Sequence, residues 1–340
     1  MRQAEPTGVR PGEPVLPAGR GELSDRVLCA LRGRPDGRSL LAPEGVAEGC
    51  DPYGEDLHLA LYVCYELHYR GFRGVDAAWE WDPGLLGLRS VLERRFLDAL
   101  RADTGGRPRG AGEALERILA EPAHATGLSH FLRDEGELWQ LREYAAQRSL
   151  YHLKEADPHV WVVPRLRGRA KAAMVAVEFD EYGGGRADRM HSRLFADLMT
   201  DLALDTTYGR YVDAAAGDML ASVNLMSMFG LHRALRGALV GHFAAVEVTS
   251  SPASRRLAEA MRRVDAGEAA VHFYAEHVEA DAVHEQVVRR DVVGGLLEDE
   301  PWLEADVAFG IGATDLLDAR IGDRTLTAWH AGHSSLRIPL

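Results

Sequence analysis

The sequence predicts an all-α protein, and three observations carry that reading. Apolar residues recur at i, i+3, i+4 spacing in segment after segment, helix breakers separate those segments, and two-residue alternation is almost absent. "HVWVV", just before Pro164, is the one short strand-like exception. With 340 residues and 46% hydrophobic content, the chain can bury a large core.

Taken in order, residues 1–20 are rich in Pro and Gly and are expected to form a disordered tail, followed by a helical or loop lead-in over 21–51. One all-α domain then runs from about residue 50 to 325, with no internal repeat and no linker, and 326–340 form a C-terminal tail. Its first helix is "EDLHLALYVCYELHYRG", in which Cys64 reads as a core thiol. "LLGLRSVLERRFLDALRAD", "ELWQLREYAAQRSLYHLKEAD", "RGRAKAAMVAVEFDEYG", "DRMHSRLFADLMTDLAL" and "GDMLASVNLMSMFGLHR" follow with the same period. "ALRGALVGHFAAVEVTS" and "PASRRLAEAMRRV" are read as separate helices divided by "SSP". The other breakers are "ADPH", "YGGG", "TTYG" and "DAGE". Trp79, Trp81 and Trp161 read as packing anchors.

Charge and cysteine usage narrow the function classes. A net charge of −13 without any basic tract argues against nucleic acid and against anionic membranes. There is no long apolar run and no signal-peptide core near the start, so a cytoplasmic location is expected. Cys29, Cys50 and Cys64 are scattered and lack CxxC spacing, which supports neither a disulfide framework nor a zinc knuckle.

The chemistry concentrates in "FYAEHVEADAVHE". At roughly 100° per residue, His277, Asp281 and His284 fall within about 60° of one another, on the stripe that Phe273, Tyr274 and Val288 mark as core-facing. No Lys or Arg lies between Phe273 and Val288 to neutralise the acid. The segment taken alone fits either a His–Asp hydrogen bond in a core or a metal site.

Other core-facing segments add ionisable groups. Glu155 ends a helix that Pro158 must terminate, which puts His159 past the turn. Glu178, Asp180 and Glu181 end an Ala/Val-rich run. His191 follows the "GGG" break, which must re-aim the chain if Glu181 and His191 are to face one point. His242 and Glu247 sit in a small, apolar helix. Each of these has a structural explanation in isolation. Together, buried carboxylates about 4 Å apart repel by about 4 kcal/mol per pair at an effective dielectric near 20. Two divalent ions balance Glu155, Glu181, Glu247 and Asp281, and neutral His191, His277 and His284 add nitrogen ligands without altering the sum. Mixed carboxylate and imidazole ligation suits iron or manganese.

These segments resemble the heme-oxygenase-like di-iron oxidases and oxygenases, in particular the actinobacterial iron-containing redox enzymes. The resemblance covers residues 52–325 and runs through "LALYVCYELHYRGF", "AWEWDP", "RSLYHLKEADPHVWVVPRL", "DEYGGG" with His191, "SMFGLHRALRGALVGH" and "EHVEADAVHE". It implies a heme-oxygenase-like helical bundle with a di-metal site in its core. Glu155, Glu181, His191, Glu247, His277, Asp281 and His284 match the family's ligand positions in residue type. The carboxylate at Glu181 resembles the pattern of members that oxygenate amine nitrogen, among them the di-iron domain of nitrosourea-forming enzymes.

The implied activity is O2-dependent N-oxygenation of an amine of a small amino acid or related metabolite, in natural-product biosynthesis. Two Fe(II)/Fe(III) ions would be the cofactor and O2 the co-substrate. The chain ends without cysteines, so electrons are expected from an external reductase or small reductant. The alternatives are oxidative C–C cleavage or desaturation of an amino or fatty acid, and a non-catalytic heme- or cofactor-binding bundle using His232, His242 or His272. Glu178, Tyr182, His242 and Tyr274 are candidates for orienting ligands, and Arg233 and Arg236 for holding a substrate carboxylate. A homodimer is expected on size.

Overall fold

The computed structural model describes residues 13–37, 40, 49–105, 110–120 and 127–340; the side chains of residues 281 and 282 lie outside the description. Among the described residues every regular element is helical. In chain order these are α1 (Glu22–Leu31), α2 (Glu55–Glu66), α3 (Pro83–Asp103), α4 (Ala111–Leu119), α5 (Leu128–Asp134) and α6 (Leu138–His152). They continue with α7 (Asp157–Val160), α8 (Gly168–Glu181), α9 (His191–Asp201), α10 (Gly217–Leu231), α11 (Arg236–Arg263), α12 (Glu268–Val287), α13 (Gly294–Asp299) and α14 (Glu304–His330). A π turn over Val288–Val293 joins α12 to α13. No described helix is long and apolar enough to cross a membrane.

The centre of the bundle is α11, which lies along both α12 and α14. Glycines bring α11 and α14 backbone to backbone: a Cβ at Gly241 would stand 2.0 Å from the Val307 carbonyl, and one at Gly310 2.0 Å from the Ala238 carbonyl. Helices α6 and α9 meet, α9 packs on α12, and α8 packs on the π turn. Phe195, Phe229, Phe243 and Phe273 fill the space between these helices, all under 2% exposed, at about 1.5–3 kcal/mol of burial each.

Several sequence expectations change here. "SSP" does not break the chain: α11 passes through Pro252. The ring removes one backbone donor, but packing along two neighbours carries the helix on, and Ser251 Oγ bonds to the Val278 carbonyl at 3.3 Å. "HVWVV" is not extended; His159 and Val160 belong to α7, and a 3-10 turn follows at Val163–Arg165. Of the expected disordered tail, residues 1–12 lie outside the described residues, whereas 13–20 are tied down. The Pro14 carbonyl accepts from the Arg73 N–H at 2.8 Å, and the Ala18 N–H donates to Asp213 at 2.9 Å. The C-terminal segment is also anchored, because buried Glu143 accepts from Trp329 Nε1 at 2.9 Å and from the Ser335 N–H at 2.8 Å. Trp79 is buried as an anchor, but Trp81 is 66% exposed. Cys64 is buried, which pushes its thiol up to about 12.

Candidate metal centre

Five elements deliver the candidate ligands. Helix α6 stops at His152, and the turn that follows carries Glu155 before Pro158 sits in the first turn of α7. Glu181 is the last residue of α8 and His191 the first of α9. Between them Gly183, Gly184 and Gly185 all take positive φ (68°, 62° and 81°), which reverses the chain as the sequence required. Glu247 projects from α11, and His277 and His284 from α12.

These side chains meet in two groups that share one member. Ligand atoms of Glu155, Glu181, His191 and His277 lie within 4.8 Å of one another, and so do those of Glu181, Glu247 and His284. All six residues are buried. Asp281 is on α12 between His277 and His284, and its side chain lies outside the described residues.

Hydrogen bonds fix how the imidazoles present themselves. His277 Nδ1 is 2.7 Å from the Phe273 carbonyl, which only accepts, so Nδ1 carries the proton and Nε2 the lone pair. His191 Nδ1 is 2.7 Å from Glu181 Oε2. His284 places Nδ1 3.3 Å from Glu247 Oε2 and 3.8 Å from Glu181 Oε1, with Nε2 3.3 Å from Asp180 Oδ2. Burial opposes protonation of His284, but Glu247, Glu181 and Asp180 outweigh it and raise its pKa to about 9. Burial likewise works against a charged Glu155, yet His152, His277 and His191 hold its carboxyl down at about 2.

Two residues that touch the ligands were given no ligand or orienting role from the sequence, although Asp180 was named there beside Glu178 and Glu181. His152 Nδ1 lies 2.9 Å from Glu155 Oε2; the i, i+3 spacing of "HLKE" is its only sequence signal. Asp180, beside Glu181, meets His284 as above. The six other candidates divide. Glu178 is 4% exposed and neither carboxylate oxygen has a hydrogen-bond partner among the described residues; burial first, then Glu181 and Glu247, raises its pKa well above the usual range. Tyr182 donates to Asp157 at 2.8 Å. Tyr274 is buried with no partner for its hydroxyl among the described residues, and His242 is held by Thr314 at 2.8 Å.

The arginines do not serve the core. Arg233 is exposed and Arg236 pairs with Glu300. Arg236 also begins α11 eleven residues before Glu247, about 16 Å along the helix axis. The heme-type ligands fare no better, since His232 is bonded to Glu93 at 2.9 Å and His272 is exposed.

The donor set suits iron: carboxylates and imidazoles only, buried, with lone pairs oriented by carbonyl and carboxylate partners. Comparison with known proteins agrees. The family model for iron-containing redox enzymes matches residues 142–319, more than half of the chain and all six gathered side chains. The chain is also similar to nitrosourea synthase of Streptomyces achromogenes subsp. streptozoticus, 27% identical over 146 residues, which is 43% of this chain and 31% of that protein. The chain thus matches about a third of that relative's length. Its helical bundle, its buried His/Glu cluster and the span of the family match make this chain a member of the iron-containing redox enzymes, an iron oxidoreductase with the heme-oxygenase-like all-α fold.

Proposed function

We propose that the protein holds two iron ions and uses O2 to oxygenate the nitrogen of a small amine or amino acid. The observation that carries the two-ion reading is the position of Glu181, the one carboxylate common to both ligand groups among the described residues. Glu155, His191 and His277 would hold one ion, and Glu247 and His284 the other, with Glu181 between them; the resemblance adds Asp281 to the ligand set. When bound, iron supplies the reduction of O2 and the transfer of oxygen to the substrate. The protein's part is to orient the ligands through Phe273, Asp180 and His152, and to keep bulk water out with the surrounding phenylalanines. Similarity to part of a nitrosourea synthase supports nitrogen as the target. Electrons would come from an external reductase or small reductant.

The test begins with anaerobic Fe(II) loading of the full chain and an iron count. Two ions per chain are expected for the native protein, one for Glu155→Ala or Glu247→Ala, and none for Glu181→Ala. Oxygen uptake with a small reductant is then followed across a panel of amines and amino acids, with 18O2 tracing the product. Label on nitrogen with the carbon skeleton intact supports the proposal. An alkene or aldehyde from a shortened skeleton refutes N-oxygenation while keeping the iron centre.

A further inference from the structure

A cleft of about 330 Å³, at the small end of the range that holds organic ligands, lies against the two segments that carry Glu155 and Glu181. Those segments are lined on both sides by neighbours in sequence. Glu155, Ala156 and Glu181 face the narrow space between the ligand side chains, whereas Asp157 and Tyr182, which follow them directly, line the cleft. The Tyr182 hydroxyl donates to Asp157 Oδ1 at 2.8 Å and closes the seam where the two segments meet. That seam lies between the cleft and the ligand groups.

The lining decides what fits. Arg70 is exposed in the cleft; its guanidinium lies 3.9 Å from the Tyr208 ring centroid and donates to the Leu153 carbonyl at 3.1 Å, which fixes the group and leaves further N–H donors for an anion. Among the described residues only Oδ1 of Asp157 is engaged, so Oδ2 is left to accept. The other charges around the cleft are matched, Lys154 by Glu66, and His68 between Glu80 and Arg89. Tyr69 and Trp161, edge to face with centroids 6.5 Å apart, add aromatic wall. A lone cation in this space meets Arg70 and a lone anion meets Asp157, each with repulsion. A zwitterion meets both with attraction: a carboxylate suits the guanidinium, and an ammonium suits the carboxylate and the rings. Arg70 is thus the cation for a carboxylate that Arg233 and Arg236 do not provide.

We propose that this cleft binds the zwitterionic head of a free α-amino acid, with its carboxylate on Arg70 and its ammonium on Asp157. That this amino acid is the molecule on which the iron centre acts rests on the function proposed above, and the seam closed by Tyr182 and Asp157 is its way in. An ammonium on Asp157 competes with the Tyr182 hydroxyl for the same carboxylate, so arrival of the ligand itself loosens the seam.

The test uses the full, metal-free chain labelled with 15N-tryptophan, in which the Trp161 indole signal, assigned through Trp161→Phe, reports on the cleft. Glycine, methylammonium and acetate are titrated in at constant ionic strength. Glycine should move the signal saturably and bind about tenfold more tightly than either half-molecule. Arg70→Gln should weaken glycine and acetate about tenfold and spare methylammonium, with Arg70→Lys recovering part of the loss. Asp157→Asn, whose amide oxygen still accepts from Tyr182, should weaken glycine and methylammonium about tenfold and spare acetate. A signal indifferent to glycine overturns the proposal, and so does an equal loss of all three probes in either variant, which would mean a distorted cleft. In the iron-loaded protein, Asp157→Asn should raise the KM of the amino acid that drives O2 uptake about tenfold with kcat within about twofold. An unchanged KM overturns the substrate role. The titrations need neither iron nor turnover, so they decide the cleft even where the N-oxygenation reading fails.

Discussion

His191 Nδ1 stands 2.7 Å from Glu181 Oε2 across a stretch of chain that contains three consecutive left-handed glycines. The turn is what closes this contact, because the two residues end one helix and begin the next. At Gly183 a Cβ would lie 2.6 Å from the Arg189 carbonyl carbon and 2.7 Å from the Met190 N, whereas at Gly184 the nearest atom is a Phe179 ring carbon at 3.8 Å. Gly183→Ala is expected to cost about 1–3 kcal/mol and to lower iron content, and Gly184→Ala to cost about 1 kcal/mol with iron content kept. Urea denaturation and a colorimetric iron assay decide; equal iron content in both variants would reject the role given to the turn.

In the metal-free protein His284 titrates at about 9 instead of its ordinary 6.5. A raised imidazole pKa contributes stability that is whole below pH 6.5 and is lost as pH rises through 9. Glu155, depressed to about 2, works in the opposite sense: its contribution is present above 4.5 and is lost as pH falls toward 2. Metal binding requires the neutral imidazole, so an ion taken at pH 7 expels a proton. Apo-protein melting temperature should therefore fall between pH 6.5 and 9 while metal affinity climbs over that window. Calorimetry in buffers of different ionisation enthalpy reads the released proton, and a pH-independent affinity would contradict the charge assignment.

Glu178 is buried with no partner for either oxygen among the described residues, and its pKa is raised. A carboxyl that resists ionising in the folded state destabilises it increasingly as pH climbs above the unfolded value of about 4.5. Glu178→Gln should therefore stabilise the metal-free protein near pH 7 by about 1–3 kcal/mol and remove part of the pH dependence. Denaturant midpoints at pH 5 and pH 8 measure this. A less stable Gln variant at pH 8 would mean that the carboxylate has a cationic partner when charged.

The turn bearing Glu155 is clamped from α2. Lys154 Nζ sits 3.0 Å from Glu66 Oε2, Tyr208 donates to both Glu66 oxygens at 2.7 and 2.9 Å, and the Lys154 ammonium lies 4.2 Å from the Tyr69 ring centroid. Lys154 and Glu66 are both 2% exposed or less. Lys154→Met alone should cost about 3–5 kcal/mol by stranding a buried carboxylate, whereas Lys154→Met with Glu66→Leu should fold within about 1 kcal/mol of the native protein. Equilibrium denaturation of the three proteins tests this, and equal stability of the single and double variants would contradict it.

Much of the site was legible because its residue types are costly anywhere but in a metal site. Carboxylates and histidines on apolar helix faces, with no basic neighbour in "FYAEHVEADAVHE", announce themselves in one dimension. His152 did not, and Asp180 was named without a role, because a histidine or aspartate near a helix end is ordinary until its partner across the bundle is known. Arg233 and Arg236 misled for the same reason: helical spacing gives the angle of a side chain but not which end of a long helix reaches the core.

By itself the sequence determined many of the helices and the charges that must be balanced, because periodicity and burial cost are properties of local segments; α14 was not among the helices it picked out. It did not determine that α11 runs unbroken through Pro252, since that depends on packing from α12 and α14. Nor did it show that Glu181 belongs to two ligand groups at once, or that His242 meets Thr314 across two helices. Those are distances between residues remote in the chain, and only the tertiary structure, through a glycine turn and glycine contacts between helices, sets them.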